Sequence, residues 1–169
     1  MSGKNTVFTT VLVFILLGTY QLQAQSASGW TNAGWVSPGL RFGHRFGEGG
    51  GFFFGAEITY MKHTDYGIFG AVGSVDLLFG NPEYRPGIRL QVGPQVSYVV
   101  AGTSFGYSWQ TFRGNSRSGY FATLYTFVGI MPHFGFEYIP EDDEYRFEAG
   151  LLLKFPRQVD GPPLKGPGG

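Results

Sequence analysis

The stretch Ile88-Arg89-Leu90-Gln91-Val92-Gly93-Pro94-Gln95-Val96-Ser97-Tyr98-Val99-Val100 decides the fold. Ile88, Leu90, Val92, Val96, Tyr98 and Val100 alternate with Arg89, Gln91, Gly93, Gln95 and Ser97. Successive side chains of a strand point to opposite faces, so this two-residue interval predicts a β-strand with one greasy and one polar side.

Working outward, the same interval recurs. Upstream, Trp35 to Phe46 puts Val36, Leu40, Phe42 and Phe46 against Ser37, Gly39, Arg41, Gly43 and Arg45, and Gly47-Glu48-Gly49-Gly50 makes a turn. A second strand sets Phe52, Phe54, Ala56, Ile58 and Tyr60 against Gly51, Gly55, Glu57 and Thr59, and ends at Lys62 to Asp65. A third, Tyr66 to Phe79, sets Phe69, Ala71, Val75, Leu77 and Phe79 against Gly70, Ser74 and Asp76, before the loop Asn81 to Pro86. Downstream, Ala101 to Thr103 turn into a fifth strand with Phe105, Tyr107 and Trp109 on one side, followed by a loop from Arg113 to Arg117. A sixth strand from Gly119 to about Ile130 carries rings on both faces and has no readable orientation, and Pro132 marks a turn. The seventh bears Phe134, Phe136 and Tyr138 opposite His133, Gly135 and Glu137, with a hairpin tip at Pro140 to Glu144. The last, Tyr145 to Phe155, sets Tyr145, Phe147, Ala149, Leu151, Leu153 and Phe155 opposite Arg146, Glu148, Gly150 and Lys154.

Alternation alone suits a soluble barrel as well as a membrane one; sidedness separates them. The apolar sets are bulky on almost every strand, too large for one small lumen, while the opposite sets are rich in Gly and Ser. The expectation is a closed antiparallel up-and-down transmembrane β-barrel of about eight strands, rings toward lipid and a polar lumen filled by side chains. Trp35, Tyr60, Tyr66, Tyr84, Tyr107, Trp109, Tyr120, Tyr138 and Tyr145 mostly fall near strand ends, where amphipathic rings suit the headgroup level.

Composition agrees. The 169 residues suit one domain and include 28 Gly, 17 Phe and 10 Tyr, with only 14% charged residues against roughly 25% in soluble domains. Twelve Lys plus Arg balance twelve Asp plus Glu, so no long-range field draws in nucleic acid. The absence of Cys excludes disulfides, thiolate metal sites, a thiol nucleophile and a cysteine-linked lipid anchor. At the front, Lys4, an apolar run from Val7 to Leu17 and a polar stretch ending in a small residue give the three-part layout of an export leader, too short to span a bilayer. The expected organisation is a signal peptide over 1–24, cleaved after Ala24, with Ser28 the alternative site because Ser26 and Ser28 also satisfy the small-residue spacing, a barrel over 25–155 and a disordered Pro- and Gly-rich tail over 156–169.

The inward charges yield a sharper expectation. Hairpin arithmetic sets Arg41 opposite Glu57, Asp76 opposite Arg89 and Glu137 opposite Arg146. Together with Arg45, Glu148 and Lys154, they are expected to form a linked ionic plug along the lumen, because charges removed from water need partners. Ordinary cross-strand pairing on a wetted sheet is the alternative.

Glu148-Ala149-Gly150-Leu151-Leu152-Leu153-Lys154-Phe155 resembles the assembly signal of bacterial outer-membrane proteins, with Glu148, Gly150, Leu153 and Phe155 at its polar, glycine, hydrophobic and terminal aromatic positions. With Gly93-Pro94-Gln95-Val96-Ser97-Tyr98, it makes the chain similar to small outer-membrane β-barrel proteins of the porin family, related to the PorT type. The resemblance covers the leader through Phe155. It implies an integral outer-membrane location and insertion by the barrel assembly machinery, and it transfers no catalytic residues. In the family signal the aromatic usually ends the chain, whereas Pro156 to Gly169 follow it here.

Three histidines and one acidic run carry side chains capable of chemistry. His44 has lipid-side parity, His63 sits in a predicted turn, and His133 points inward; none has a Ser and a carboxylate at convincing spacing. Glu141-Asp142-Asp143-Glu144 lacks the ligand alternation of a calcium loop. Gly70 and Gly73 before Asp76 continue as strand rather than opening a helix, so they form no phosphate cradle. The reading is a monomeric, non-enzymatic barrel with no cofactor or metal, its partners outer-membrane lipid and the assembly machinery, and its role structural or accessory to transport or secretion. A secreted soluble barrel binding an apolar ligand and a lipid-modifying outer-membrane hydrolase are the rivals.

Overall fold

The computed structural model describes residues 33–47, 50–64, 67–80, 86–98, 101–112, 115–126 and 131–161. The leader at 1–24, the loop residues 81–85, 113 and 114, Val99 and Val100, Tyr66, the 127–130 end of the sixth predicted strand and the tail from 162 lie outside them.

The described residues form nine strands: β1 (Gly34–Phe46), β2 (Gly51–Thr64), β3 (Gly67–Gly80), β4 (Gly87–Tyr98), β5 (Ala101–Phe112), β6 (Asn115–Thr126), β7 (Met131–Ile139), β8 (Glu144–Lys154) and β9 (Arg157–Asp160). Each of the first eight pairs antiparallel with its chain neighbour, and β1 pairs with both β2 and β8. The sheet therefore closes into an eight-stranded up-and-down barrel, with no open edge among these eight.

The registers fix the barrel's geometry. Starting at Tyr125 on β6, partners run through His133, Gly150, Gly43, Phe53, Leu78 and Gly87. With the β4–β5 register carried one step on, they reach Phe112 and return to β6 at Asn115, ten residues from the start. Eight strands with this stagger tilt by about 40° from the axis. Ten residue steps along β1, from Val36 to Phe46, then span a band about 25 Å tall.

Burial alternates along the strands in the sense the sequence indicates. Phe54, Val92 and Tyr120 are 49%, 61% and 60% exposed, whereas Asp76 and Arg89 are fully buried. The orientation that the sequence leaves open on β6 is resolved: Phe121, Thr123 and Tyr125 face in, while Tyr120, Ala122 and Leu124 face out.

Several boundaries differ from expectation. Ala101 pairs with Tyr98, so Ala101–Thr103 belong to β5, and Asn115–Arg117 are paired strand rather than loop. Pro132 lies inside β7 opposite Leu151. Pairing of β7 with β6 starts only at His133, so the N–H that proline lacks forfeits no bond on that side. Arg157–Asp160, the start of the expected tail, is a strand on β1. Lys154 pairs with Gly39 and Arg157 with Val36, so β9 keeps the register of β8 across Phe155 and Pro156. Proline interrupts one long strand because it cannot donate.

The β1–β2 turn closes by Gly50 N–H donating to the Gly47 carbonyl at 3.0 Å, with Gly47 at φ +112°, a conformation that favours glycine. This closure pairs Arg41 with Gly55 and sets Glu57 opposite Gly39, two residues from the pairing expected by hairpin arithmetic. A two-residue shift preserves the face, so Arg41 and Glu57 still share the lumen.

Candidate functional site in the barrel lumen

Each inward charge is delivered by a strand whose alternation also sends a ring outward. Gly55 and Gly135 supply space between them. A Cβ at Gly55 would strike the Asp76 carboxylate, and one at Gly135 would strike the side chain of Glu148; one at Gly150 would strike the His133 ring instead. The first two glycines are thus volume that charged side chains occupy.

The centre is a cluster around Arg89. Its Nε and Nη2 both donate to Asp76 Oδ2, at 3.0 and 2.8 Å. Its Nη1 lies 2.7 Å from Glu148 Oε2, an ion pair whose angle departs from hydrogen-bond geometry, and 3.7 Å from Glu137 Oε2. Arg41 reaches from β1 to donate to Glu148 Oε1 on β8 at 2.7 Å and to Gln91 Oε1 at 2.9 Å, and its Nε lies 3.3 Å from Asp76 Oδ1. Arg41 and Glu57 form a diagonal pair at 3.8 Å. The Phe53 ring is buried among these groups, with the guanidinium carbons of Arg41 and Arg89 each 5.4 Å from its centroid.

Toward the β1–β2 turn, Arg45 donates to Glu137 Oε2 at 2.9 Å and to Gln110 Oε1 at 3.2 Å. Arg146 also donates to Gln110 Oε1, at 3.0 Å, and pairs with Glu144. Glu137 and Arg146 are register partners, but each takes its short ionic contact elsewhere. Toward the opposite rim, Lys154 Nζ lies 2.7 Å from Glu57 Oε1, donates to Thr59 Oγ1 at 2.9 Å and sits 5.1 Å from the Tyr125 ring. The Tyr125 and Ser97 hydroxyls are 2.7 Å apart.

All nine lumen residues named from the sequence, Arg41, Arg45, Glu57, Asp76, Arg89, Glu137, Arg146, Glu148 and Lys154, face this interior. Among the described residues, five lumen cations (Arg41, Arg45, Arg89, Arg146 and Lys154) meet five carboxylates (Glu57, Asp76, Glu137, Glu144 and Glu148). Removing one member of such a set leaves an uncompensated buried charge, which costs about 3–5 kcal/mol. Sequence reasoning missed Phe53, Gln110, Tyr125 and Glu144. The inward parity of Gln91 and Gln110 was a usable signal; the aromatic pair was not, because rings dominate the outer face too.

Of the residues in the C-terminal motif, Glu148 and Gly150 have inward parity, and Leu153 and Phe155 have outward parity. His133 is buried with Nε2 3.7 Å from Glu148 Oε1 and its ring 5.8 Å from Phe53. His44 packs on Phe46 and Phe52 on the outer wall, and His63, expected in a turn, is instead paired strand, next to last in β2 and opposite Ile68. At the acidic tip, Asp142 pairs with Arg117 at 2.8 Å and Asp143 accepts from the Tyr138 hydroxyl at 3.1 Å. Among the described residues no group of three or more acidic or histidine side chains is placed to hold a metal ion.

No family model and no curated protein matches this chain. Among solved structures it is similar to Neisserial surface protein A, at 10% identity and a TM-score of 0.47, covering 72% of this chain and 97% of that one. It is also similar to Ail, the attachment invasion locus protein of Yersinia pestis, at 14% identity and a TM-score of 0.41, covering 75% and 99%. Ail in complex with the heparin analogue sucrose octasulfate aligns at a TM-score of 0.43 with the same identity and coverage. The assignment of this chain as a closed eight-stranded antiparallel barrel stands on its own strand pairing.

Proposed function

We propose that this protein is an integral outer-membrane β-barrel, monomeric and non-enzymatic, whose lumen is sealed by its own ion-paired side chains. Its role on this reading is structural, or accessory to transport or secretion, and its contacts are membrane lipid and the barrel assembly machinery. The observation that carries the reading is the inverted sidedness: Phe52, Phe54, Ile58, Val92, Phe134 and Phe147 are exposed while Arg41, Asp76, Arg89 and Glu148 are buried. In water that arrangement would expose a continuous apolar belt, a cost that vanishes in a bilayer, while the ten buried charges are offset by pairing with one another in either medium. A soluble carrier of apolar ligands needs an apolar cavity, and the space here is filled by guanidinium groups and carboxylates. Eight strands leave no room beside such a filling for general diffusion.

Alkaline carbonate extraction of the cell envelope tests the reading. The mature chain is expected to stay with the membrane and to migrate faster on a denaturing gel before boiling than after. Release into the carbonate supernatant would favour the soluble carrier. The hydrolase reading predicts an altered lipid A profile when His133 or His44 is replaced; the non-enzymatic reading predicts an unchanged one.

A further inference from the structure

The outer wall is not uniformly rough. Two register rows run obliquely round it: Phe155, Pro38, Ile58, Gly73, Val92 and Tyr107 in one, and Leu40, Ala56, Val75, Leu90 and Trp109 in the other. Between them lies a trough of about 910 Å³ walled almost entirely by carbon. Ala56 and Gly73 are the smallest residues of the two rows, and Gly73 is a glycine with no local reason to be one. A Cβ there would meet nothing nearer than 4.0 Å, and its φ lies outside the left-handed region. Its missing side chain serves only to open the trough.

At the rim where the chain leaves the barrel, the trough runs into a second hollow that shares Pro38 and Phe155 with it and is lined also by Val36, Arg157, Gln158 and Val159. Arg157 is exposed there, one residue beyond Pro156 on the strand that continues β8. Among the described residues it has no ion-pair partner: the Asp160 carboxylate accepts instead from the Gly161 N–H, at 2.8 Å. An unpaired guanidinium at the edge of an apolar groove complements a phosphate with a hydrocarbon chain attached.

We infer that this groove is a binding site for one glycerophospholipid of the leaflet nearer the rim that carries Arg157, its phosphate on Arg157 and one acyl chain laid along the trough over Ala56 and Gly73. The inference rests on the membrane reading proposed above, since only a chain whose outer wall meets hydrocarbon would offer the groove to a lipid. From β8 to β5 the trough crosses five strand spacings of about 4.8 Å, roughly 24 Å along the wall. It climbs obliquely through about 15 Å of the bilayer normal, about three-fifths of the apolar band.

The test uses the full chain purified in dodecyl maltoside, with palmitoyl-oleoyl phosphatidylglycerol added and bound lipid counted by native mass spectrometry. The wild type is expected to hold one lipid. Gly73→Leu, which fills the trough without meeting backbone, and Arg157→Gln, which removes the cation, are each expected to weaken retention about tenfold. Diacylglycerol, which lacks phosphate, and dihexanoyl phosphatidylglycerol, which lacks long chains, are both expected to bind more weakly than the full lipid. Equal retention by the wild type and both variants would overturn the site. So would an absence of bound lipid on a barrel that resists carbonate and shows heat-dependent migration, a result that leaves the membrane reading intact. Release of the chain by carbonate would overturn both.

Discussion

Arg89 on β4 and Asp76 on β3 face each other as register partners, two guanidinium nitrogens converge on one carboxylate oxygen, and neither residue has any exposed surface. The same Arg89 also touches Glu148 and Glu137 from strands on the other side of the lumen. It therefore ties the barrel wall across its diameter as well as along one hairpin. Replacing Arg89 with Met leaves three carboxylates short of a cation in the interior. The expected cost is about 3–5 kcal/mol in denaturant unfolding of the micelle-bound barrel. Arg117→Ala, which breaks the half-exposed pair with Asp142, is the control and should cost no more than about 1 kcal/mol.

The pair also predicts non-additivity. Asp76→Asn and Arg89→Gln alone should each destabilise the barrel strongly. The double variant should be more stable than the two effects added together, by about 1–3 kcal/mol, because the second substitution removes the charge the first had stranded. A thermodynamic cycle from urea titrations reads the difference, and strict additivity would mean the two side chains act independently.

Glycine at position 135 is required by volume. Gly135→Val would drive a side chain into Glu148 and displace the carboxylate that holds Arg41 and Arg89. The expected loss is about 1–3 kcal/mol with a lower yield of folded barrel, measured by the unboiled band on a gel. Gly73→Ala on the outer wall is the matched comparison and should be near neutral, since the added methyl meets only the Gln91 carbonyl and Ile58 Cγ2, each at an ordinary contact distance of 4.0 Å.

The outer belt makes a depth-dependent prediction. Val92 sits midway up the wall, 61% exposed, and Val92→Lys should cost about 2–4 kcal/mol in refolding into liposomes. Lys at Ser116, an exposed position beyond the ring at Tyr120, should cost less than about 1 kcal/mol. A water-facing wall would tolerate Val92→Lys as easily as the rim substitution.

Much of this architecture was legible because a strand's period is two and small residues mark the crowded side. The faces of Ile88 through Ser97 and of Phe52 through Tyr60 follow from alternation alone, and the partnership of Asp76 with Arg89 follows from counting outward from one loop. Arg41 and Glu57 came out two positions off because turn geometry, with Gly47 in a left-handed conformation, sets where a hairpin closes, and several closures keep the same faces. Contacts such as Arg41 with Glu148 and Arg45 with Glu137 join the first strand to the last two. They exist only because the sheet closes, and hairpin arithmetic cannot reach across that seam. On β6 the pattern failed for a physical reason: Phe121 and Tyr125 occupy lumen space, and Tyr125 stacks over Lys154, so rings no longer mark the outside. The strand Arg157–Asp160 was hidden by Pro156 and by a polar composition that reads as tail; its pairing is inherited from β8 rather than encoded by its own side chains.

The chain has no cysteine, so a single introduced thiol reports one position without ambiguity. Val92→Cys, labelled with an environment-sensitive fluorophore on the unfolded chain and then refolded into vesicles, tests sidedness at one depth on a position that is 61% exposed. Strong quenching by lipids brominated along their acyl chains, with little quenching by aqueous iodide, is the expected result. Strong quenching by iodide with little by the brominated chains would contradict a wall that faces hydrocarbon.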